Sequence, residues 1–187
     1  VKLAGSNADR LDWSHDGSVI QLAFDPPLEV GTAADIVIEY SVSDPLDGLF
    51  WLTEAPEWPG RAAQIHTQGE PETNQHWFAC HDFPNERLTT ELVVTVPTGY
   101  LVSSNGELIS ETANGGRTTF HWRQEPEHVN YLVSLIVGKF DVVDVGDGRL
   151  SMQVYVPPGQ GKNVRHTYGR TPEMVREFAP EIADAAF

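Results

Sequence analysis

Histidines 66, 76 and 81, the acids Glu70 and Glu72, the only cysteine and an aromatic pair all fall in one stretch. It reads Gln64-Ile-His-Thr-Gln-Gly-Glu-Pro-Glu-Thr-Asn-Gln-His-Trp-Phe-Ala-Cys-His-Asp-Phe-Pro84. No other part of the chain has this density of groups able to do chemistry. His76, Cys80 and His81, with His66 upstream, are all side chains that zinc accepts. Trp77 to Cys80 reads as extended, which alternates side chains between faces and puts His76 with Cys80 but His81 opposite. A buried structural cysteine with surface histidines is therefore the favoured reading.

A Cys80 nucleophile would need a histidine delivered by the fold, and no family-type cysteine motif surrounds it. Glu70 and Glu72 are an acid–base pair by type. Acids beside a Gly-Glu-Pro turn are more often simply solvated, and on pattern alone that reading wins. Gly146-Asp-Gly148 and Gly159-Gln-Gly161 lack the lysine of a phosphate loop. Trp51 and Trp58 could form a sugar or peptide platform, although core packing or loop anchoring is the commoner use of such rings.

The elements that must position these groups are mostly strands. Val19–Phe24 and Ala34–Val42 carry β-branched and aromatic residues, and His15-Asp-Gly17 is a hairpin signal. Leu49–Leu52 is a short apolar piece, and Glu54–Gly60 is too rich in proline to pair inside a sheet. Ala62–Thr67 runs extended into the central stretch. Asn85–Pro97, Tyr100–Ser103, Gly106–Ser110 and Thr118–Trp122 follow as strands, with Asn105-Gly and Asn114-Gly-Gly turning between them. His128–Gly138 is nearly continuous apolar sequence, as expected of one central strand covered on both faces. Val142–Val145 and Leu150–Val156 complete the sheet.

Val164–Tyr168 reads as one or two helical turns. Thr171-Pro-Glu173 opens a helix with Thr at the N-cap, Pro in the first turn and an acid against the dipole. Met174, Val175, Phe178 and Ile182 give that helix an apolar stripe, which at the end of a chain looks cut off. The expected fold is mostly β, an antiparallel curved sheet or sandwich-like domain with a short C-terminal helix.

The chain has 187 residues, enough for one good core or two small ones. Its 27 acids against 12 lysines and arginines give a net charge of −15. Such a surface repels phosphate, so nucleic acid is an unfavourable partner. A single cysteine excludes an internal disulfide and a multi-cysteine zinc site. No apolar run reaches the roughly 20 residues of a membrane-crossing helix. Position 1 is Val, without a signal pattern behind it, as in a mature product or an excised fragment. The compartment stays open between cytoplasm and a secreted or periplasmic location.

Taken together, Thr67-Gln-Gly-Glu70, Trp77-Phe-Ala-Cys-His-Asp-Phe-Pro-Asn85, Thr95-Val-Pro97 and Val102-Ser-Ser-Asn-Gly106 form an ordered block. That block resembles the N-terminal saddle-like β-domain of the zinc metallopeptidases typified by aminopeptidase N. Asn130 to Asp141 is similar to that family's next strand, which ends in Gly-x-Phe, and Thr171-Pro-Glu-Met174 to the helix leading into the peptidase domain. The resemblance implies a β-domain over residues 1–170, with residues 171–187 starting the helix into a catalytic domain of the same polypeptide.

It further implies a role for Gln68, Gly69 and Glu70 in substrate binding. Glu70 would accept the α-ammonium of a peptide with a free amino terminus, Gln68 would hydrogen-bond near it, and Gly69 would allow close backbone approach or unusual φ. The family's Gly-x-Met-Glu-Asn strand and His-Glu-x-x-His helix are absent from this sequence. The resemblance thus implies no catalytic residue and no metal ligand here, with zinc bound by the other domain of the intact enzyme. The first strands of the family also look missing before Val1. The rival reading is a stand-alone, non-catalytic β-sandwich binding or scaffold module.

Overall fold

The structure, a computed structural model, describes residues 2–3, 12–148 and 150–186, the segment 181–186 by its backbone alone. The chain divides into two compact units, Val1–Asp44 and Pro45–Phe187.

In the first unit β1 (Lys2–Leu3) pairs antiparallel with β4 (Ile36–Val37), and β2 (Asp12–His15) with β3 (Ile20–Ala23). The β2–β3 hairpin turns as the Asp-Gly signal requires. Asp16 Oδ1 accepts hydrogen bonds from the amides of Ser18 and Val19, both at 2.8 Å, and Gly17 takes φ +104°. The long strand expected over Ala34–Val42 shrinks to two residues, whose side chains are exposed. β-propensity alone does not fix the length of a strand, because tertiary context overrides it.

The second unit holds two larger sheets. One contains β5 (Leu49–Leu52), β6 (Gln64–Thr67), β11 (Leu135–Gly138) and β8 (Leu101–Ser104), in that order. The other places β10 (Arg117–Val129) between β7 (Arg87–Pro97) and β9 (Glu107–Asn114). All pairings are antiparallel. β7 shows the period-2 pattern of a half-buried strand, its even-numbered residues turned inward and its odd-numbered ones exposed. Val96 of β7, Phe120 of β10, Val102 of β8, and Leu135 and Val137 of β11 form one buried cluster, so the inner faces of both sheets share a core. β9 is exposed along its whole length.

Two sequence expectations fail in this unit. The apolar run 128–138 is not one strand: β10 ends at Val129, a 3-10 turn spans Asn130–Leu132, and β11 begins at Leu135. β11 does lie centrally between β6 and β8, but Ile136 on its outer face is exposed, so it is covered on one side only. The last pair, β12 (Asp141–Asp144) and β13 (Gln153–Val156), does not complete a larger sheet and forms a separate two-stranded ribbon.

Helix α1 (Gly161–Tyr168) packs on that ribbon through Val164, which is almost wholly buried. Asp141 Oδ2 accepts from the amides of Gly159 (2.8 Å) and Gly161 (3.2 Å), satisfying donors that the helix start would leave unpaired. α2 (Thr171–Ala186) begins at Thr171 itself, places Glu173 in its first turn and carries Pro180 inside. Met174 and Phe178 are exposed and Val175 half-buried; the side chain of Ile182 lies outside the described residues.

Candidate functional site

β6 delivers the chain to a tight turn whose backbone is fixed at nearly every residue. Thr67 Oγ1 accepts from the amide of Leu135 at 2.8 Å, and the amide of Gln68 donates to the Gly48 carbonyl at 2.9 Å. Thr73 closes the turn twice, its hydroxyl donating to the Gln68 carbonyl (2.5 Å) and its amide to that of Gly69 (3.0 Å).

Two glycines make this approach possible. Gly48 sits at φ +77°, and a Cβ there would land on the Thr73 carbonyl. At Gly69 a Cβ would come within 2.6 Å of the Tyr131 carbonyl oxygen and 2.7 Å of both polar atoms of the Asn74 side chain. Gly69 serves close approach, as one of its two expected uses; it is not in the left-handed region. Gly69→Ala is expected to destabilise the fold by about 1–3 kcal/mol through overpacking. Urea unfolding measures it, and an unchanged midpoint would mean the turn yields without loss.

The buried Gly69 is flanked by two exposed side chains, Gln68 and Glu70. Neither side chain has a hydrogen-bond or ion-pair partner among the described residues. A rigid turn thus presents a free carboxylate and a free carboxamide to the outside. A free carboxylate held in place by its backbone is suited to pairing with a cation, above all an ammonium that can also donate hydrogen bonds.

Beneath the turn lies a network of amides. Asn74 and Asn130 are 0% and 1% exposed, and with Val164 they are the largest fully buried side chains. Asn74 Nδ2 donates to the Asn130 carbonyl (2.7 Å), while Asn74 Oδ1 accepts from Trp77 Nε1 (2.9 Å). Asn130 Nδ2 donates to Asp82 Oδ1 (2.6 Å) and to Cys80 Sγ (3.4 Å), and Asp82 Oδ2 accepts from the Gln75 amide (2.9 Å). The sequence points to neither asparagine. The only signal was an asparagine heading a run of apolar residues, a place where a buried amide needs partners.

Trp77 to Cys80 is not extended as expected. A 3-10 turn over Asn74–His76 leads into it, with the amides of Trp77 and Phe78 both bonded to the Asn74 carbonyl. The face-sharing of His76 and Cys80 therefore does not arise. His66 stacks on Phe50 at 5.2 Å, and His81 on Phe83 at 5.2 Å. Among the described residues no group of three or more His, Cys, Asp or Glu side chains is placed to hold a metal ion.

Burial pushes the Cys80 thiol above its ordinary range; the hydrogen bond from Asn130 opposes this and the nearby Asp82 charge adds to it. A raised thiol pKa leaves less thiolate at neutral pH, the opposite of what a nucleophile needs. Iodoacetamide at pH 8 is expected to modify Cys80 in the folded chain at least about tenfold more slowly than after unfolding. Equal rates would restore Cys80 as a candidate nucleophile.

Residues 1–132 match the family described as the Peptidase M1 N-terminal domain. The chain belongs to that family. Among curated relatives of this M1 N-terminal domain, Aminopeptidase M1 of Arabidopsis thaliana is 32% identical over 117 residues, which are 60% of this chain and 13% of the relative. Aminopeptidase B of Mus musculus is 23% identical over 134 residues, 72% of this chain and 20% of the relative. The domain thus spans a fifth or less of the length of these relatives. The fold is also that of a solved M1 zinc metallopeptidase from Deinococcus radiodurans. It superposes with a TM-score of 0.56 at 21% identity, over 82% of this chain and 37% of the other. The M1 N-terminal domain here has no helix, among the described residues, long and apolar enough to cross a membrane.

Proposed function

We propose that this chain is the saddle-like, substrate-capping N-terminal domain of a zinc aminopeptidase, an enzyme that removes residues from the amino end of peptides. In this reading Glu70 pairs with the α-ammonium of the substrate and Gln68 donates or accepts a hydrogen bond beside it. The observation that carries the reading is the turn itself: two unpartnered polar side chains on either side of a buried glycine, with the backbone clamped between β6, Gly48 and Thr73. A fixed anion selects free amino termini because an ammonium gives a charge-assisted bond that an acetylated nitrogen cannot. It also measures the substrate from its amino end, as an exopeptidase must.

The zinc in this reading belongs to the catalytic domain of the same polypeptide, where it would polarise the scissile carbonyl and supply the attacking water. The described residues of this chain offer it no set of ligands, and their contribution is binding and orientation. Residues 1–170 form the β-domain in this proposal, and the helix from Thr171 begins the passage to its neighbour. The exposed Met174 and Phe178 on α2 fit burial against that neighbour better than they fit a stand-alone binding module, whose last helix would be polar outside.

The deciding experiment is Glu70→Ala in the polypeptide that joins this chain to its catalytic domain, assayed with peptides bearing free and acetylated amino termini. Loss of discrimination between the two supports the reading; unchanged kinetics would remove Glu70 from the site.

A further inference from the structure

A cleft of about 170 Å³ lies in the second unit, between the Trp58–Ala62 loop, the start of β6, the β11–β12 connection and Pro157-Pro158. Arg61 and Lys139 both line it, two of only 12 cationic residues in a chain with 27 acids. Neither has a carboxylate partner among the described residues. Of the acids nearest in sequence, Glu57 pairs with neither cation, and Glu54 and Asp141 are engaged with backbone amides. Glu54 Oε1 accepts from the Gly60 amide (2.7 Å), and Asp141 Oδ2 from the amides that open α1.

The cations are held by stacking. The Arg61 guanidinium lies 4.7 Å from the centre of the Trp58 ring, and the Lys139 ammonium 5.3 Å from that of Tyr100. A guanidinium carries five N–H donors in a planar fork. Here Nη2 donates to Gln64 Oε1 at 3.3 Å, and the remaining donors meet no protein acceptor among the described residues. The opposite wall is apolar and fixed. Phe140 packs edge-on against Tyr155 (6.0 Å), and a Cβ at Gly138 would strike its ring.

We propose that this cleft is a carboxylate-binding site. The free guanidinium edge matches a carboxylate in two-pronged geometry, and Phe140, Pro157 and Pro158 accept the short apolar body behind it. A phosphate carries more charge but no such body, and suits the apolar wall less well. The chain's net charge opposes any anion at long range, yet that repulsion is screened beyond about 8 Å at physiological salt. Two unneutralised cations beside the ligand dominate inside that distance.

The test is NMR titration of the 187-residue chain with benzoate, and with benzamide as its neutral shape-match, following the Trp58 indole and the amides of Gly60 to Ala62 and Lys139. Saturable shifts with benzoate and none with benzamide are expected. Arg61→Gln is expected to weaken binding by about tenfold or more, as for loss of a charged hydrogen bond, and Lys139→Met by a smaller factor. Equal response to benzamide, or no saturation by benzoate, overturns the proposal. A capped tetrapeptide with one glutamate, compared with its glutamine counterpart, then separates the sources. Glutamate-dependent shifts assign the cleft to an acidic side chain from a protein, and benzoate binding alone assigns it to small free carboxylates.

Discussion

On the proposed function, Glu70→Ala in the polypeptide that joins this chain to a catalytic domain is expected to reduce kcat/KM for peptides with a free amino terminus by roughly 10- to 150-fold, the worth of a charged hydrogen bond of about 1.5–3 kcal/mol. Peptides with an acetylated terminus, which never make the bond, are expected to show little change. Glu70→Gln keeps the shape and one acceptor but loses the charge, so it should fall between. Folding is expected to be spared, because the Glu70 side chain is exposed and has no partner among the described residues. Substitutions at such positions usually shift stability by no more than about 0.5 kcal/mol. A large loss of stability in Glu70→Ala would mean that the carboxylate holds the turn instead of serving a ligand.

Asn74→Ala is expected to have the reverse profile, a collapse of stability. The side chain is fully buried and bonded at both ends, to the Asn130 carbonyl and to the Trp77 indole. Removing it strands the half-buried Trp77 indole N–H, at about 1–3 kcal/mol, while the Asn130 carbonyl keeps its bond from the Val133 amide (2.9 Å). It also leaves a void beneath Gly69. A total of roughly 2–4 kcal/mol is a large share of the 5–15 kcal/mol that holds a typical domain together. Thermal unfolding should show a fall of about 4–16 °C for a chain of this size. Asn74→Asp restores the acceptor for Trp77 but sets a carboxylate against the Asn130 carbonyl, so it should not rescue. A fall smaller than about 2 °C in Asn74→Ala would mean that the network is spread among other groups.

These two residues also mark where sequence reading works and where it stops. Strands with a partner along their length were legible: β7 alternates in sequence as it does in burial, and the Asp-Gly turn of the β2–β3 hairpin forms where it should. The run 128–138 misled because hydropathy counts apolar side chains and ignores the bonding needs of the polar ones among them, Asn130 above all. Asn130 bonds to Asp82, 48 positions away, and the chain bends into a 3-10 turn where it does so. Trp77–Cys80 misled because the backbone carbonyl of Asn74 gathers the following amides into a turn, which no side-chain pattern registers. Gln68, Gly69 and Glu70 had no distinguishing pattern of their own. Only the resemblance singled them out, and the partnerless state of Gln68 and Glu70 emerges from tertiary structure.

The exposure of β9 along all eight residues has a consequence for motion. An edge strand with no fully buried residue opens at lower cost, so its amides should exchange with solvent before those of β7 or β10. The turn at Gly69 belongs to the other sheet and rests on fully buried amides. Fluctuation is thereby concentrated away from the Gly69 turn, and the presented carboxylate stays on the slow-opening side.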